Sequence, residues 1–176
     1  MTTKKFIIRL IGYSCTGKSS VEKILLDKLP GVYLVSYDSL KWNLSNYDRD
    51  RDLALIKDIA LGLFESVCRN SVPVLLSAYI STEGEYEVYK SIVNKYEYSL
   101  LEVRLTAPNE VLLSRFRERI KDADHAGTKI SVTDEALFLK NLSKPFFVPS
   151  GVNVYDTSIL KPADIADRII DLLNKL

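Results

Sequence analysis

Residues 12–19 read Gly12-Tyr-Ser-Cys-Thr-Gly17-Lys18-Ser19, a complete G-x-x-x-x-G-K-[ST] pattern. The two glycines permit backbone angles and close approaches that a Cβ would block, so successive N–H groups can point inward around an anion. A helix N-terminus after the loop adds partial positive charge. Lys18 then suits the β- and γ-phosphates of a nucleotide as a compact cation, and the Ser19 hydroxyl suits Mg²⁺. The candidate nucleotide contacts are therefore Gly12, Ser14, Cys15, Thr16, Gly17, Lys18, Ser19 and Ser20.

Such a loop works only between a strand and a helix. The run Phe6-Ile7-Ile8-Arg9-Leu10-Ile11 is short and almost wholly apolar, which predicts a strand buried on both faces of a parallel sheet. Beyond the loop, Val21, Ile24, Leu25 and Leu29 recur at helical spacing, and Pro30-Gly31 stops the element. Five strand candidates, 6–11, 32–36, 72–77, 99–105 and 152–155, alternate with helical segments, the signature of an α/β fold with a parallel sheet. Leu53, Ile56, Ile59, Ala60, Leu63, Phe64 and Val67 mark a long crossover helix. Further helices are expected over 82–95, from Pro108 to Lys121, over 133–142, and from Pro162 onward. Asp122 to Lys129 breaks the pattern and reads as a mobile excursion, with His125, the only histidine, in an exposed loop. Residues 122–132 are the expected lid segment within a single domain, 1–176.

Composition limits the partners. The chain has 176 residues, 47% of them hydrophobic, enough for one good core. With 24 basic and 23 acidic side chains, no net field draws it to nucleic acid or an anionic membrane. Cys15 and Cys68 have neither metal-ligand nor disulfide-framework spacing, which fits a reducing cytoplasm. Met1-Thr-Thr-Lys-Lys leads straight into the first strand, so no signal peptide is expected, and no apolar run approaches transmembrane length. Oligomeric state leaves no mark in the sequence.

Four features match one family by position: the loop, the aspartate Asp38 just after the second strand, an arginine-bearing helix before a lid, and Asp156-Thr157-Ser158 at the end of the last strand. The chain resembles the small-molecule kinases of the P-loop superfamily, which include shikimate, gluconate and adenylylsulfate kinases and chloramphenicol phosphotransferase. The resemblance implies a three-layer fold with a five-stranded parallel sheet ordered 2-3-1-4-5 and the active site at the strands' C-terminal edge. It also implies ATP and Mg²⁺ as cofactors, with transfer of the γ-phosphate to a hydroxyl of a small molecule. Asp38 would orient or deprotonate that hydroxyl, or join Ser19 at the metal. The alternative is that Asp38 caps the segment beginning at Ser39. Tyr37, Trp42 and Tyr79 fall near this edge as walls for a flat or apolar acceptor.

On the helix after Pro108, Arg115 and Arg119 share one flank of the stripe formed by Leu112, Leu113, Phe116 and Ile120, whereas Arg117 projects from the other side. The resemblance gives Arg115 and Arg119 contact with the transferred phosphate. The alternative is a solvated face with Arg115 or Arg119 in an exposed ion pair with Glu118. Lys121 and Lys129 are further basic residues near that lid. Thr157 and Ser158 are implied at the adenine, mainly through backbone.

The pattern also departs from the wider superfamily. Ser77 stands at the tip of the third strand, where many P-loop NTPases carry the Asp or Glu that holds Mg²⁺ through water. That substitution argues against motors of the AAA and helicase types and leaves Asp38 to support the metal. No N-K-x-D motif occurs, since Asn94-Lys95-Tyr96-Glu97 ends in the wrong residue, so ATP is favoured over GTP. Two other functions stay open: a nucleotide-binding regulatory protein without metabolite kinase activity, and a polynucleotide 5′-hydroxyl kinase, disfavoured by the near-zero charge.

Overall fold

Strand β1 (Phe6–Ile11) is buried at all six positions, as expected for a strand covered on both faces. The computed structural model describes residues 4–126, 130, 132–144 and 146–176. After β1 come α1 (Lys18–Lys28), β2 (Tyr33–Ser36), α2 (Tyr37–Trp42), α3 (Arg49–Arg69), β3 (Val74–Ser77) and α4 (Glu83–Lys95). The chain continues through β4 (Ser99–Thr106), α5 (Asn109–Ala126), α6 (Glu135–Leu142), β5 (Asn153–Asp156) and α7 (Pro162–Asn174). All strand pairs are parallel, in the order β2-β3-β1-β4-β5. The sheet order is the one implied by the resemblance.

The strand period of two sorts the core onto two faces. Ile8 and Leu10 point to a layer that includes Val21 and Leu25 of α1 and Ile165 and Ile169 of α7. Ile7 points the other way, into a cluster with Phe64 of α3 and Ile92 and Val93 of α4. Full burial of each such side chain stabilises the fold by about 1.5–3 kcal/mol. A smaller cluster, Leu112, Phe116 and Phe138, joins α5 to α6 through stacked rings 4.2 Å apart, with Tyr13 and Cys15 packed against it. The phosphate loop is thereby braced from outside the sheet.

Three local expectations change. The long crossover helix starts at Arg49, ahead of its apolar stripe, because the Asp48 carboxylate accepts from the backbone N–H groups of Asp50 and Arg51, each at 3.0 Å. Residues 37–42 form the short helix α2, with Ser36 at the N-cap position and Asp38 inside the first turn, so Asp38 does not cap a segment from Ser39. Helix α5 continues through Ala126, past the predicted break at Asp122. Ala123 and Ala126 fall in this stretch, and alanine is the strongest helix former. The remainder of the expected lid falls partly on residues 127–129 and 131, so Gly127 and Lys129 lie outside the described residues.

Candidate nucleotide and acceptor site

The sheet order dictates what meets at its C-terminal edge. Strand β1 delivers the loop, β2 delivers Asp38, and β3 lies between them, so Ser77 stands between loop and aspartate. Two glycines shape the loop. A Cβ on Gly12 would come within 2.7 Å of the Leu105 carbonyl oxygen and of Thr16 Oγ1, and Gly17 caps α1 with φ at 84°. Cys15 also adopts a positive φ, 66°, at a cost of about 1–2 kcal/mol for a residue with a Cβ. Such alternation of backbone hand turns N–H groups toward a common anion. Buried Thr16 donates its hydroxyl to the Tyr13 carbonyl at 2.8 Å and fixes the turn.

Lys18 folds back onto the loop, donating to the carbonyls of Gly12 at 2.7 Å and Tyr13 at 2.8 Å. Burial pulls its ammonium below the usual lysine range, and the charges of Asp38 and Glu22 push against that shift. Glu22, one helical turn after Lys18, is only 7% exposed. Burial raises its carboxyl, the nearby Ser77 hydroxyl and the charge of Lys18 oppose the rise, and Asp38 adds to it. Its Oε1 has no hydrogen-bond partner. The sequence reading missed Glu22, although positions three after Ser19 and four after Lys18 share their helix face.

Asp38 is ion-paired with Lys41, whose side chain is 11% exposed against 75% for the aspartate. Lys41 also lies over the Trp42 ring, 4.9 Å from its centroid. A cleft of about 810 Å³ holds Lys18, Asp38 and Ser77 together with Tyr37, Trp42, Tyr47 and Tyr79. The three aromatic residues expected at this edge are therefore in one cavity with the loop lysine. Arg49, Lys140 and Lys144 add positive charge to its walls.

The two arginines of α5 separate in role. Arg115 donates to Thr157 Oγ1 at 2.8 Å, to the Thr157 carbonyl at 2.6 Å and to the Cys15 carbonyl at 3.3 Å. It ties the loop to the end of β5 and makes no exposed ion pair with Glu118. Arg119 borders the loop beside Ser14 and Cys15. Burial raises the Cys15 thiol, against the pull of Arg119, Lys18 and Arg115. Arg117 points away and pairs with Glu135 at 2.8 and 2.9 Å.

Thr157 is buried and donates to the Thr106 carbonyl at 3.1 Å, while Ser158 turns outward and donates to Asp156 at 2.6 Å. Ser19 and Ser20 are exposed at the start of α1. Asn94 and Lys95, from the rejected guanine motif, end α4 ahead of β4 and so lie at the opposite edge of the sheet. Among the described residues, no helix is long and apolar enough to cross a membrane.

A parallel sheet ordered 2-3-1-4-5, helices on both faces, and a glycine loop closing on a lysine between β1 and α1 define a P-loop NTPase fold. Solved structures share it across nearly their whole length. One is a candidate kinase from Chloroflexus aurantiacus, with a TM-score of 0.77, 16% identity and 99% of each chain covered. Another is the APS kinase of Mycobacterium tuberculosis in complex with AMPPNP and APS, at TM-score 0.65 and 19% identity, covering 97% of this chain and 98% of that one. A third is a gluconokinase from Sinorhizobium meliloti, at TM-score 0.60 and 19% identity, covering 97% and 93%.

The chain belongs to the AAA domain family, whose pattern matches residues 7–138. Ser77 had argued against AAA-type motors; the family carries that name, and the match assigns a domain rather than a motor activity. No curated protein matches the sequence.

Proposed function

We propose that this protein is an ATP-dependent kinase that transfers the γ-phosphate of Mg-ATP to a hydroxyl of a small molecule. The observation that carries this reading is the single cleft holding the loop lysine, Asp38 and aromatic walls. In the transfer, the acceptor oxygen forms a bond to the γ-phosphorus, the bond from that phosphorus to the β–γ bridging oxygen breaks, and ADP leaves. The hydroxyl proton passes to the Asp38 carboxylate, which lies within the cleft. Lys18 exchanges its loop carbonyls for phosphate oxygens, and Arg119 is the better placed of the two arginines to meet the transferred group, Arg115 being held by Thr157.

Magnesium fits the residues present. Ser19 offers a hydroxyl, Asp38 a carboxylate, and the unpartnered Glu22 oxygen marks acidic surroundings. A magnesium ion of this kind is commonly held by one or two protein oxygens together with the substrate phosphates. When bound, it neutralises charge developing on the phosphates. Thr157 and Ser158 are assigned to the adenine side.

Incubation with Mg-ATP and a metabolite extract, followed by a search for compounds gaining one phosphoryl group, tests the reading. A phosphorylated product lost in Lys18→Ala supports it. Tight Mg-ATP binding with no product over a wide acceptor panel would instead identify a nucleotide-binding regulator.

A further inference from the structure

Beside the phosphate loop, α5 and α6 meet at a cavity of about 20 Å³. Phe116 and Phe138 stack across the joint at 4.2 Å, and each is followed three residues later, on the same helix face, by a polar side chain: Arg119 on α5 and Asn141 on α6. All four border the cavity together with Ser14 and Cys15 of the loop. We propose that Asn141 is a positioning residue for Arg119, its side-chain carbonyl accepting from the guanidinium while other N–H groups of Arg119 meet the γ-phosphate of a bound nucleotide. The inference rests on the Mg-ATP reading above.

Asn141 Oδ1 is shut off from solvent and has no hydrogen-bond partner among the described residues. The backbone carbonyl of the same residue accepts from the Lys144 N–H at 3.3 Å, so the main chain is anchored where the side-chain oxygen is not. A buried acceptor left unmatched costs the desolvation of that group, and such atoms are few in folded proteins. An asparagine serving only to end α6 would turn its oxygen to a backbone group or to solvent. This one is held at the border between the small cavity and the large cleft that contains Lys18 and Asp38, since it lines both.

Arg119 supplies what the oxygen lacks. A guanidinium carries five N–H donors in a fixed plane, more than the oxygens of one phosphate face engage, so an acceptor behind it sets the direction of the rest. The chemistry of the acceptor matters as well. A carboxylate in this place would orient the guanidinium and cancel its charge, whereas a neutral amide orients it and leaves the full positive charge for the transferred group.

Titration calorimetry with Mg-AMPPNP and with Mg-ADP isolates the contribution of the γ-phosphate. Arg119→Met should remove most of the advantage of AMPPNP over ADP. Asn141→Leu should reduce that advantage about tenfold, with ADP affinity changed less than about threefold. Added to Arg119→Met, Asn141→Leu should have no further effect, because a positioning residue has nothing left to position. The leucine enters a cavity walled by Phe116, Ile120, Val132 and Phe138, which suits an apolar side chain; if circular dichroism shows that it fails to fold, Asn141→Ala carries the same comparison. An undiminished AMPPNP advantage in the folded variant, or a further loss of equal size in the Arg119→Met background, overturns the inference and leaves the kinase reading standing. The unchanged protein binding AMPPNP no more tightly than ADP overturns it too, since Arg119 then meets no γ-phosphate. Failure of the unchanged protein to bind either nucleotide overturns both readings.

Discussion

Lys18 has three N–H donors and commits two of them to the carbonyls of Gly12 and Tyr13. On the proposed reading, a nucleotide would have to win that group from the loop, which the charge on phosphate, absent from a carbonyl, would favour. Lys18→Ala should therefore lower turnover by about 100-fold or more, measured as ADP release with the acceptor present. Asp38 predicts a different signature. Asp38→Asn keeps the shape of the acceptor wall and removes the proton acceptor, so kcat should fall about 100-fold or more. Full turnover in that variant with the true acceptor would remove Asp38 from the base role. The loop and Asp38 were both legible in the sequence, because each is fixed by its distance from a strand end. Glu22 and Lys41 were not. A glutamate on a helix and a lysine near a tryptophan look like ordinary surface residues until β3 and α2 bury them against Ser77 and Asp38.

At the scale of elements, apolar stripes located the helices and polar side chains set their ends. Asp48 extends α3 ahead of its stripe, and α2 went unseen because six residues hold too little periodicity to register. The start of α4 shows how such an end is stabilised. Thr82 Oγ1 accepts from the Glu85 N–H at 3.2 Å, and Glu85 Oε2 reaches back to the Ser81 N–H at 2.7 Å and its hydroxyl at 2.8 Å. Lys57 of α3 pairs with the same carboxylate and thereby fastens α4 to α3. Partial burial would raise the Glu85 carboxyl, but Lys57 and Ser81 outweigh it and hold the group below its ordinary value of 4.5. A lowered folded-state pKa contributes stability above the unfolded value and loses it as pH falls through the folded one. Glu85→Gln should cost about 1 kcal/mol in urea unfolding at pH 7. That difference should shrink steadily once the pH drops below 4.5. A gap that persists unchanged into acid would mean that shape, and not charge, holds this cap.

Across the whole molecule, the parallel α/β class was legible from alternating apolar runs, and the resemblance supplied the strand order. The pairing of one charged residue was not. Arg9 is embedded in the central apolar strand, and nothing in its own run says which neighbour will face it. The register sets it opposite Glu102 of β4, where its Nη1 donates to Oε1 at 2.7 Å with side-chain exposures of 3% and 12%. Tyr86 of α4 donates to the other Glu102 oxygen at 2.9 Å, and Arg9 Nη2 reaches the Phe147 carbonyl at 3.3 Å. The segment held at Phe147 also carries Phe146, which meets the Tyr13 ring edge-on at 4.6 Å and lines the cleft. One buried ion pair thus connects the sheet, α4 and the outer support of the phosphate loop. Removing a single partner leaves an uncompensated buried charge, so Glu102→Leu or Arg9→Met should each cost about 3–5 kcal/mol in urea unfolding. Replacing both at once removes the charge and its partner together, and the double variant should be more stable than either single one. Costs that simply add would show that the two side chains act independently. In the coupled case, the double variant should bind ATP more weakly even where its stability recovers, because Phe147, beside Phe146 and Tyr13, keeps its bond to the Ile80 carbonyl but loses the one from Arg9.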